Sequence, residues 1–194
     1  MGAEGLLAPP RTWRVDELWD TSDVPPAEAG VYGMYFDRPP ADAPVNDCVS
    51  DDGRHLLYVG IAPARPGSRQ TLRRRLRQHF RGNARSSTLR KTLGCLLQEE
   101  LGLEFRRLSA RSARFTPDGE ASLSAWMAEH VRVAWCKDPR PWLVEERLIA
   151  GLSLPLNLRG NERHPFHPVL RRRRAEMVAS ARERPIWRPG ASAG

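Results

Sequence analysis

GVYGMYF, at residues 30–36, is the most strand-like stretch of this sequence, being short, apolar and aromatic. Residues 37–54 follow it and are rich in aspartate, proline and glycine, which indicates a surface loop. Residues 54–61 come next and predict another strand, with the apolar run LLYVGI at 56–61. Two strands joined by one loop favour an antiparallel hairpin, and this hairpin is the centre from which the rest of the fold is predicted.

The remaining pattern alternates helices and strands. Leu72, Leu76 and Phe80 recur every four residues on a cationic helix predicted over residues 71–81, which Gly82 ends. The later elements are a helix capped by Ser86 or Ser87 and running to residue 102, a strand over 103–108, a helix over 118–130, a strand over 131–136, a helix from 138 to about 152 and a basic helix over 165–184. This order predicts a mixed α/β (α+β) fold, with a small central antiparallel or mixed sheet flanked by helices.

At 194 residues the chain is long enough for one well-buried core. We expect residues 1–27 to form a proline-rich, acidic leader that packs loosely. Residues 28–160 are expected to form the functional domain, with a helical insertion at about 82–140. Residues 161–194 are expected to form a basic C-terminal helix and tail.

Positive charge is concentrated in one segment of the chain. The net charge is +8, and residues 65–91 carry ten basic and no acidic side chains. Such a block predicts a phosphate-facing surface, and a solvated helix face explains the charge equally well. No apolar run approaches the roughly 18 residues of a membrane span, and the three cysteines form no paired motif, so we expect a cytoplasmic protein without a membrane segment.

One acidic residue lies on an apolar helix face. On the helix predicted from residue 138, Trp142, Leu148, Ile149 and Leu152 define an apolar arc, with Glu145 at its middle. A buried carboxylate needs a partner, so the alternatives are an ion pair or capping contact and a ligand of a hard cation such as Mg²⁺. Glu146 lies about 100° round the helix and is the weaker candidate.

The cationic helix presents two different faces. Arg75 and His79 lie one turn apart beside the apolar stripe, whereas Arg73, Arg77 and Arg81 share another face. This spacing predicts that Arg75 is aimed at one phosphate and that the other three arginines follow a nucleic-acid backbone. His79, taken alone, is more typical of a half-buried structural histidine than of a functional one.

These blocks together resemble the GIY-YIG nuclease superfamily. The resemblance rests on Gly30-Val31-Tyr32, Tyr58-Val59-Gly60, residues 71–76, Glu145 and Pro155-Leu156-Asn157, in that order along the chain. It covers roughly residues 28–160. The step of four from Arg75 to His79 and the step of twelve from Glu145 to Asn157 resemble the excision-repair and restriction-enzyme branches.

The resemblance implies a role for each matched residue. Glu145 resembles the ligand of one divalent ion, Mg²⁺ or Mn²⁺, and Arg75 the arginine that stabilises transition-state charge. Tyr32 and Tyr58 resemble the signature tyrosines, one of which acts as or orients the general base, and His79 matches a position that contacts the phosphate or the base. Asn157 resembles the asparagine that holds the loop behind the metal helix, and Gly30 and Gly60 are expected to allow close backbone approach.

The function implied is a metal-dependent endonuclease that cuts DNA, with RNA as an alternative substrate and an inactive DNA-binding module as an alternative function. A homodimer is expected if both strands are cut. The side chains expected to bind nucleic acid are Arg69, Arg73, Arg77, Arg81, Arg90 and Lys91. Three departures from the family pattern are the long gap between Tyr32 and Tyr58, Ile61 at a position that is often lysine, and the insertion before Glu145.

Overall fold

The computed structural model describes residues 4–19 and 24–188. Its strands are β1 (Trp13–Arg14), β2 (Gly30–Phe36), β3 (Ser50–Asp51), β4 (Arg54–Ala62), β5 (Phe105–Ser109), β6 (Ser112–Phe115) and β7 (Val131–Lys137). Its helices are α1 (Glu4–Leu7), α2 (Leu72–Phe80), α3 (Thr88–Leu96), α4 (Pro117–His130), α5 (Pro141–Gly151) and α6 (His167–Glu183). The predicted mixed α/β class with a small helix-flanked sheet is confirmed.

The main sheet has five antiparallel strands in the order β1-β7-β2-β4-β3. β2 is its centre, and all seven of its residues are buried. Alternate side chains of a strand point to opposite faces, so β2 contributes to two cores. Tyr32, Met34 and Phe36 pack with α2, α3, α4 and α6, whereas Val31 and Tyr35 pack with α1 and α5.

Side-chain caps fix where three of the helices begin. Thr71, Ser87 and Thr116 each accept a hydrogen bond from the backbone N–H three residues further on, at the N-termini of α2, α3 and α4. Such caps satisfy backbone donors that a helix leaves without partners. α5 lacks a side-chain cap and begins at Pro141, so the prediction that Asp138-Pro139 opens this helix was wrong. Asp138 instead accepts a hydrogen bond from the Arg140 N–H, in the turn before the helix.

The structure corrects several expected elements. The strand expected at 103–108 does not join the main sheet; it pairs as β5 with β6, which the sequence did not predict, in a separate hairpin. The helix expected to reach residue 102 ends at Leu96. The insertion expected at 82–140 contains β7, the neighbour of β2, and therefore forms part of the core.

The N-terminal segment is more firmly attached than a loosely packed leader. Leu6 and Leu18 are buried, Tyr35 donates a hydrogen bond to the Leu6 carbonyl, and Trp13 pairs with β7. That expectation was therefore wrong for residues 4–19, whereas residues 1–3 and 20–23 of the leader, and 189–194 of the tail, lie outside the described residues. None of the described helices is both long and apolar enough to span a bilayer.

Candidate active site

Tyr32 lies at the centre of the sheet against a glycine of the neighbouring strand. Its β4 partner is Gly60, where an added Cβ would lie closer than 3.0 Å to the phenol oxygen of Tyr32. An added Cβ at Gly30 would lie equally close to the carbonyl oxygen of Cys136 on β7. Neither glycine can therefore be replaced without moving its neighbour, and the Tyr32 ring occupies space that a side chain at position 60 would fill.

His79 contacts Tyr32 from the buried face of α2. The distance from its Nε2 to the Tyr32 phenol oxygen is 2.6 Å, and its Nδ1 lies 2.7 Å from the Ser87 hydroxyl. Burial lowers the pKa of His79 well below its usual value, and the cationic Arg75 and Arg90 lower it further. The imidazole is therefore neutral at pH 7, and it is fully buried, not half-buried.

Arg75 projects from α2 toward both signature phenols. Its Nη1 donates to the Gln78 side-chain oxygen at 3.2 Å and to the Ser86 carbonyl at 3.4 Å. Burial raises the pKa of Tyr32 and of Tyr58, and the Arg75 guanidinium acts against this by favouring both phenolates. One fixed cation therefore makes ionisation of either tyrosine easier than burial alone would allow.

Glu145 lies on the core-facing side of α5. Pro141, Val144, Leu148 and Ile149 form that face, whereas Glu145 is partly buried and Glu146 is exposed. The predicted apolar arc is confirmed: Leu148 and Ile149 are buried, and Trp142 and Leu152 pack against the same core. Glu145 lies within this arc and is partly buried. Burial raises the pKa of Glu145, and Arg159 and Arg75 act in the opposite direction.

A groove of about 1150 Å³ brings most of the predicted site residues together. Its lining includes Tyr32, Tyr58, Arg75, Glu145 and Asn157. His79 does not line the groove; it stands behind Tyr32. Side chains from β2, β4, α2 and α5, which are far apart in the sequence, thus face a single open space.

Asn157 joins the loop after α5 to the edge of β4. Its Oδ1 accepts from the Val59 N–H and its Nδ2 donates to the Val59 carbonyl, both at 2.9 Å. The Asn157 carbonyl in turn accepts from Asn161 at 3.1 Å. Asn157 is buried, with 5% of its surface exposed. It satisfies the N–H and carbonyl groups of Val59, which lie on β4 beyond the two residues that pair with β3.

Arg90 does not belong to a nucleic-acid surface. It is fully buried, and its guanidinium pairs with Glu120 at 2.7 Å and donates to the His79 carbonyl at 3.1 Å. The prediction that Arg90 contacts nucleic acid was therefore wrong, because a phosphate cannot reach it. Lys91 is partly buried against the Phe105 ring.

The other basic residues divide between two places. The guanidinium carbons of Arg73, Arg77 and Arg81 lie 5.1–5.7 Å from the Trp19 ring, and Arg73 also donates to the Val24 and Pro25 carbonyls. Arg69 is exposed and does not line the groove. The cations that do line it, besides Arg75, are Arg65, Arg159 and Arg163.

Arg65, Arg159 and Arg163 were not singled out from the sequence. Two sequence signals could have identified them. Arg65 is the first basic residue of the block at 65–91, and Arg159 follows the matched Asn157 by two positions. Arg163 donates to carbonyls at the end of α5, Ile149 and Ala150, and has a structural partner there. Arg65 and Arg159 are exposed and are the cations best placed to meet a phosphate in the groove.

Comparison with known proteins gives one match. A family model described as GIY-YIG catalytic domain matches residues 30–176. No curated protein and no solved structure matches the chain significantly. The matched range includes every residue that lines the groove.

Proposed function

The chain belongs to the GIY-YIG catalytic domain family, and on that premise we propose that it is a metal-dependent endonuclease that hydrolyses phosphodiester bonds of DNA. The observation that supports this most strongly is the meeting of Glu145, Arg75 and two tyrosines in one groove. A groove that only bound phosphate would gain nothing from a carboxylate, which repels an anion unless a cation lies between them.

Glu145 is the residue proposed to hold the metal ion, and its surroundings fit a hard cation. Its carboxylate makes no hydrogen bond or ion pair with any residue of 4–19 or 24–188, and burial raises its pKa, so a bound cation would stabilise its charged form. The described segments contain no group of three or more histidine, cysteine or acidic side chains suited to a metal. One carboxylate with substrate oxygens and waters is the usual way in which proteins hold Mg²⁺. When bound, Mg²⁺ or Mn²⁺ would neutralise charge on the scissile phosphate and the leaving 3′ oxygen.

The chain's own residues are proposed to handle the charge and the proton. The phenol of Tyr32 or Tyr58 first releases its own proton to solvent in the groove. Water then attacks phosphorus and passes a proton to that phenolate, and the 3′ oxygen leaves with the bonding electron pair and takes a proton from solvent. Arg75 favours that phenolate and lies where it can meet the extra negative charge of the pentavalent phosphorus. His79 acts on the Tyr32 oxygen from behind, and Asn157 keeps the loop after α5 on β4.

The nucleic-acid path proposed here differs from the one expected from charge counting. Arg65 and Arg159 line the groove and are exposed, which supports contacts with phosphates of a nucleic acid bound there. Arg77 and Arg81 are exposed around Trp19 and would extend the contact surface beyond the groove. Arg73 holds backbone carbonyls and is a structural residue in this proposal.

The experiment that tests the function is a cleavage assay on the purified full chain. Supercoiled DNA, linear DNA and structured RNA are each incubated with Mg²⁺, Mn²⁺ or EDTA. We expect DNA to be cut with either ion and to stay intact with EDTA. Nicked circles would indicate that one chain acts alone, and linear products would indicate that two copies act together. Cleavage of RNA only, or cleavage in EDTA, would contradict the proposal.

A further inference from the structure

Ser87 stands between the N-terminus of α3 and the imidazole of His79. Its hydroxyl oxygen accepts the Arg90 backbone N–H at 3.0 Å as the helix cap, and it lies 2.7 Å from the His79 Nδ1. Only 1% of Ser87 is exposed, so water cannot serve as a further partner. The Ser87 hydroxyl oxygen therefore has two hydrogen-bond partners. One of them, the Arg90 backbone N–H, is a donor and occupies a lone pair of that oxygen.

The described residues offer the hydroxyl hydrogen of Ser87 one acceptor. Among residues 4–19 and 24–188, the His79 Nδ1 is the one acceptor within hydrogen-bond distance of the Ser87 oxygen. A serine hydroxyl carries a single hydrogen, and a buried hydroxyl that fails to donate is disfavoured. Ser87 consequently donates to Nδ1, which must be free of hydrogen to accept.

The protonation of His79 follows from this contact. The imidazole is neutral, since burial and the cations Arg75 and Arg90 lower its pKa, so it carries one hydrogen. With Nδ1 accepting from Ser87, that hydrogen is on Nε2, 2.6 Å from the Tyr32 phenol oxygen. His79 then donates to Tyr32, and the phenol hydrogen of Tyr32 points away from His79.

We propose that Ser87 is a positioning residue that fixes the Nε2–H form of His79 and thereby makes His79 the hydrogen-bond donor to Tyr32. A donor to the Tyr32 oxygen favours the phenolate and leaves the phenol hydrogen free to depart on the groove side. In the opposite arrangement Tyr32 would donate to Nε2, and its hydrogen would point toward His79 on α2. The cap residue thus sets the direction of a chain of three hydrogen bonds, from the Arg90 N–H to Ser87, from Ser87 to His79 and from His79 to Tyr32.

The effect on catalysis rests on the proposed nuclease function, whereas the assignment of the His79 hydrogen does not. The two parts fail separately. An absence of nuclease activity would remove the catalytic consequence and leave the assignment to be judged on spectra of the free protein.

The first test is an NMR measurement on the metal-free, nucleic-acid-free full chain with ¹⁵N-labelled histidine. The chain has five histidines, and the His79 signals are identified by their loss in His79→Gln. Wild-type protein should show a protonated Nε2 and an unprotonated Nδ1. A hydrogen on Nδ1 in the wild-type spectrum overturns the proposal without any variant of Ser87.

The second test uses substitutions at Ser87 with a matched control. Ser87→Ala removes both the cap and the donor, Ser87→Thr keeps both, and Thr116→Ala removes an equivalent cap from α4 without touching His79. Ser87→Ala should shift the His79 signals toward the Nδ1–H form and lower kcat about tenfold more than Thr116→Ala does, with unchanged DNA affinity. Ser87→Thr should restore both readouts. Unchanged His79 signals in Ser87→Ala, or equal losses of kcat in Ser87→Ala and Thr116→Ala, would refute it.

Discussion

Replacing Glu120 by glutamine tests the buried ion pair that holds α2, α3 and α4 together. The Arg90 guanidinium is fully buried and donates to one Glu120 carboxylate oxygen through Nε at 3.0 Å and Nη2 at 2.7 Å. The other carboxylate oxygen accepts the backbone N–H groups of Ala84 and Phe115. Glu120→Gln keeps one acceptor, removes the charge and turns an amide donor toward the guanidinium.

The expected loss follows from the isolated charge that remains. Removing one partner of a buried ion pair costs about 3–5 kcal/mol in the free energy of unfolding, because the other charge stays buried without compensation. For a domain of this size that corresponds to a fall in Tm of about 10 °C. Urea and thermal unfolding followed by circular dichroism measure both quantities. Glu176→Gln, which breaks the exposed pair with Arg172, is the control and should change neither measurably.

A double-mutant cycle completes this test. Arg90→Met with Glu120→Gln removes both charges, so the double variant should be much less destabilised than the sum of the single variants. Additive losses, or a Glu120→Gln variant within about 1 kcal/mol of wild type, would refute the reasoning. If Arg90→Met instead lowered DNA affinity and left stability intact, Arg90 would be a phosphate contact after all.

Arg75→Ala should lower the cleavage rate by about two orders of magnitude or more and change DNA affinity little, because its charge acts on the transition state; equal losses of rate and affinity would make it an ordinary phosphate contact. Gly60→Ala should lower the cleavage rate at least about tenfold, because the added methyl group displaces the Tyr32 phenol. Gly5→Ala is the control and should be neutral, since an added Cβ there meets nothing within 4 Å. A fully active Gly60→Ala variant would show that the position of the phenol is unimportant. His79 has a lowered pKa in the folded state, so the unfolded chain gains a proton first and stability falls as pH drops below about 6.5, with a slope of up to about 1.4 kcal/mol per pH unit. Unfolding curves from pH 8 to pH 5 should show that slope reduced in His79→Gln, and an unchanged slope would argue against a buried neutral imidazole.

The elements predicted correctly are those whose signal is local. β2, β4 and α2 follow from apolar spacing and from nearby glycines and caps, and the structure has them within one residue of the expected bounds. β3 was missed, although it pairs with the adjacent β4 across Asp52-Gly53, a dipeptide typical of a tight hairpin turn. β1 is two residues long and exists because β7, far along the chain, provides its partner. No local pattern predicts such a strand, because its hydrogen bonds depend on tertiary contacts.

The candidate site shows the same division between local and distant signals. A charge count over residues 65–91 treats Arg65 and Arg90 alike, although one is exposed in the groove and the other is buried. Arg90 turns inward because Glu120, thirty residues away, accepts it, and the sequence gives no direction for that contact. Ser87 was one of two residues predicted as a helix cap, with Ser86, but its second contact, with His79, depends on how α2 and α3 pack.

The central claim of the proposed function is that Glu145 holds a metal ion on which cleavage depends, and its charge-neutral variant tests this claim most directly. Mg²⁺-dependent DNA cleavage is compared in wild type, Glu145→Gln and the neighbouring Glu146→Gln, together with DNA affinity and metal-free Tm. Glu145→Gln should lower the cleavage rate by about three orders of magnitude or more, because an amide is a poor ligand for a hard cation. Its DNA affinity should stay the same or rise. Its Tm should stay the same or rise, because an amide costs less to bury than a carboxylate. Glu146→Gln, at the exposed position, should stay active. Normal cleavage by Glu145→Gln, or inactivity of Glu146→Gln alone, would contradict the account.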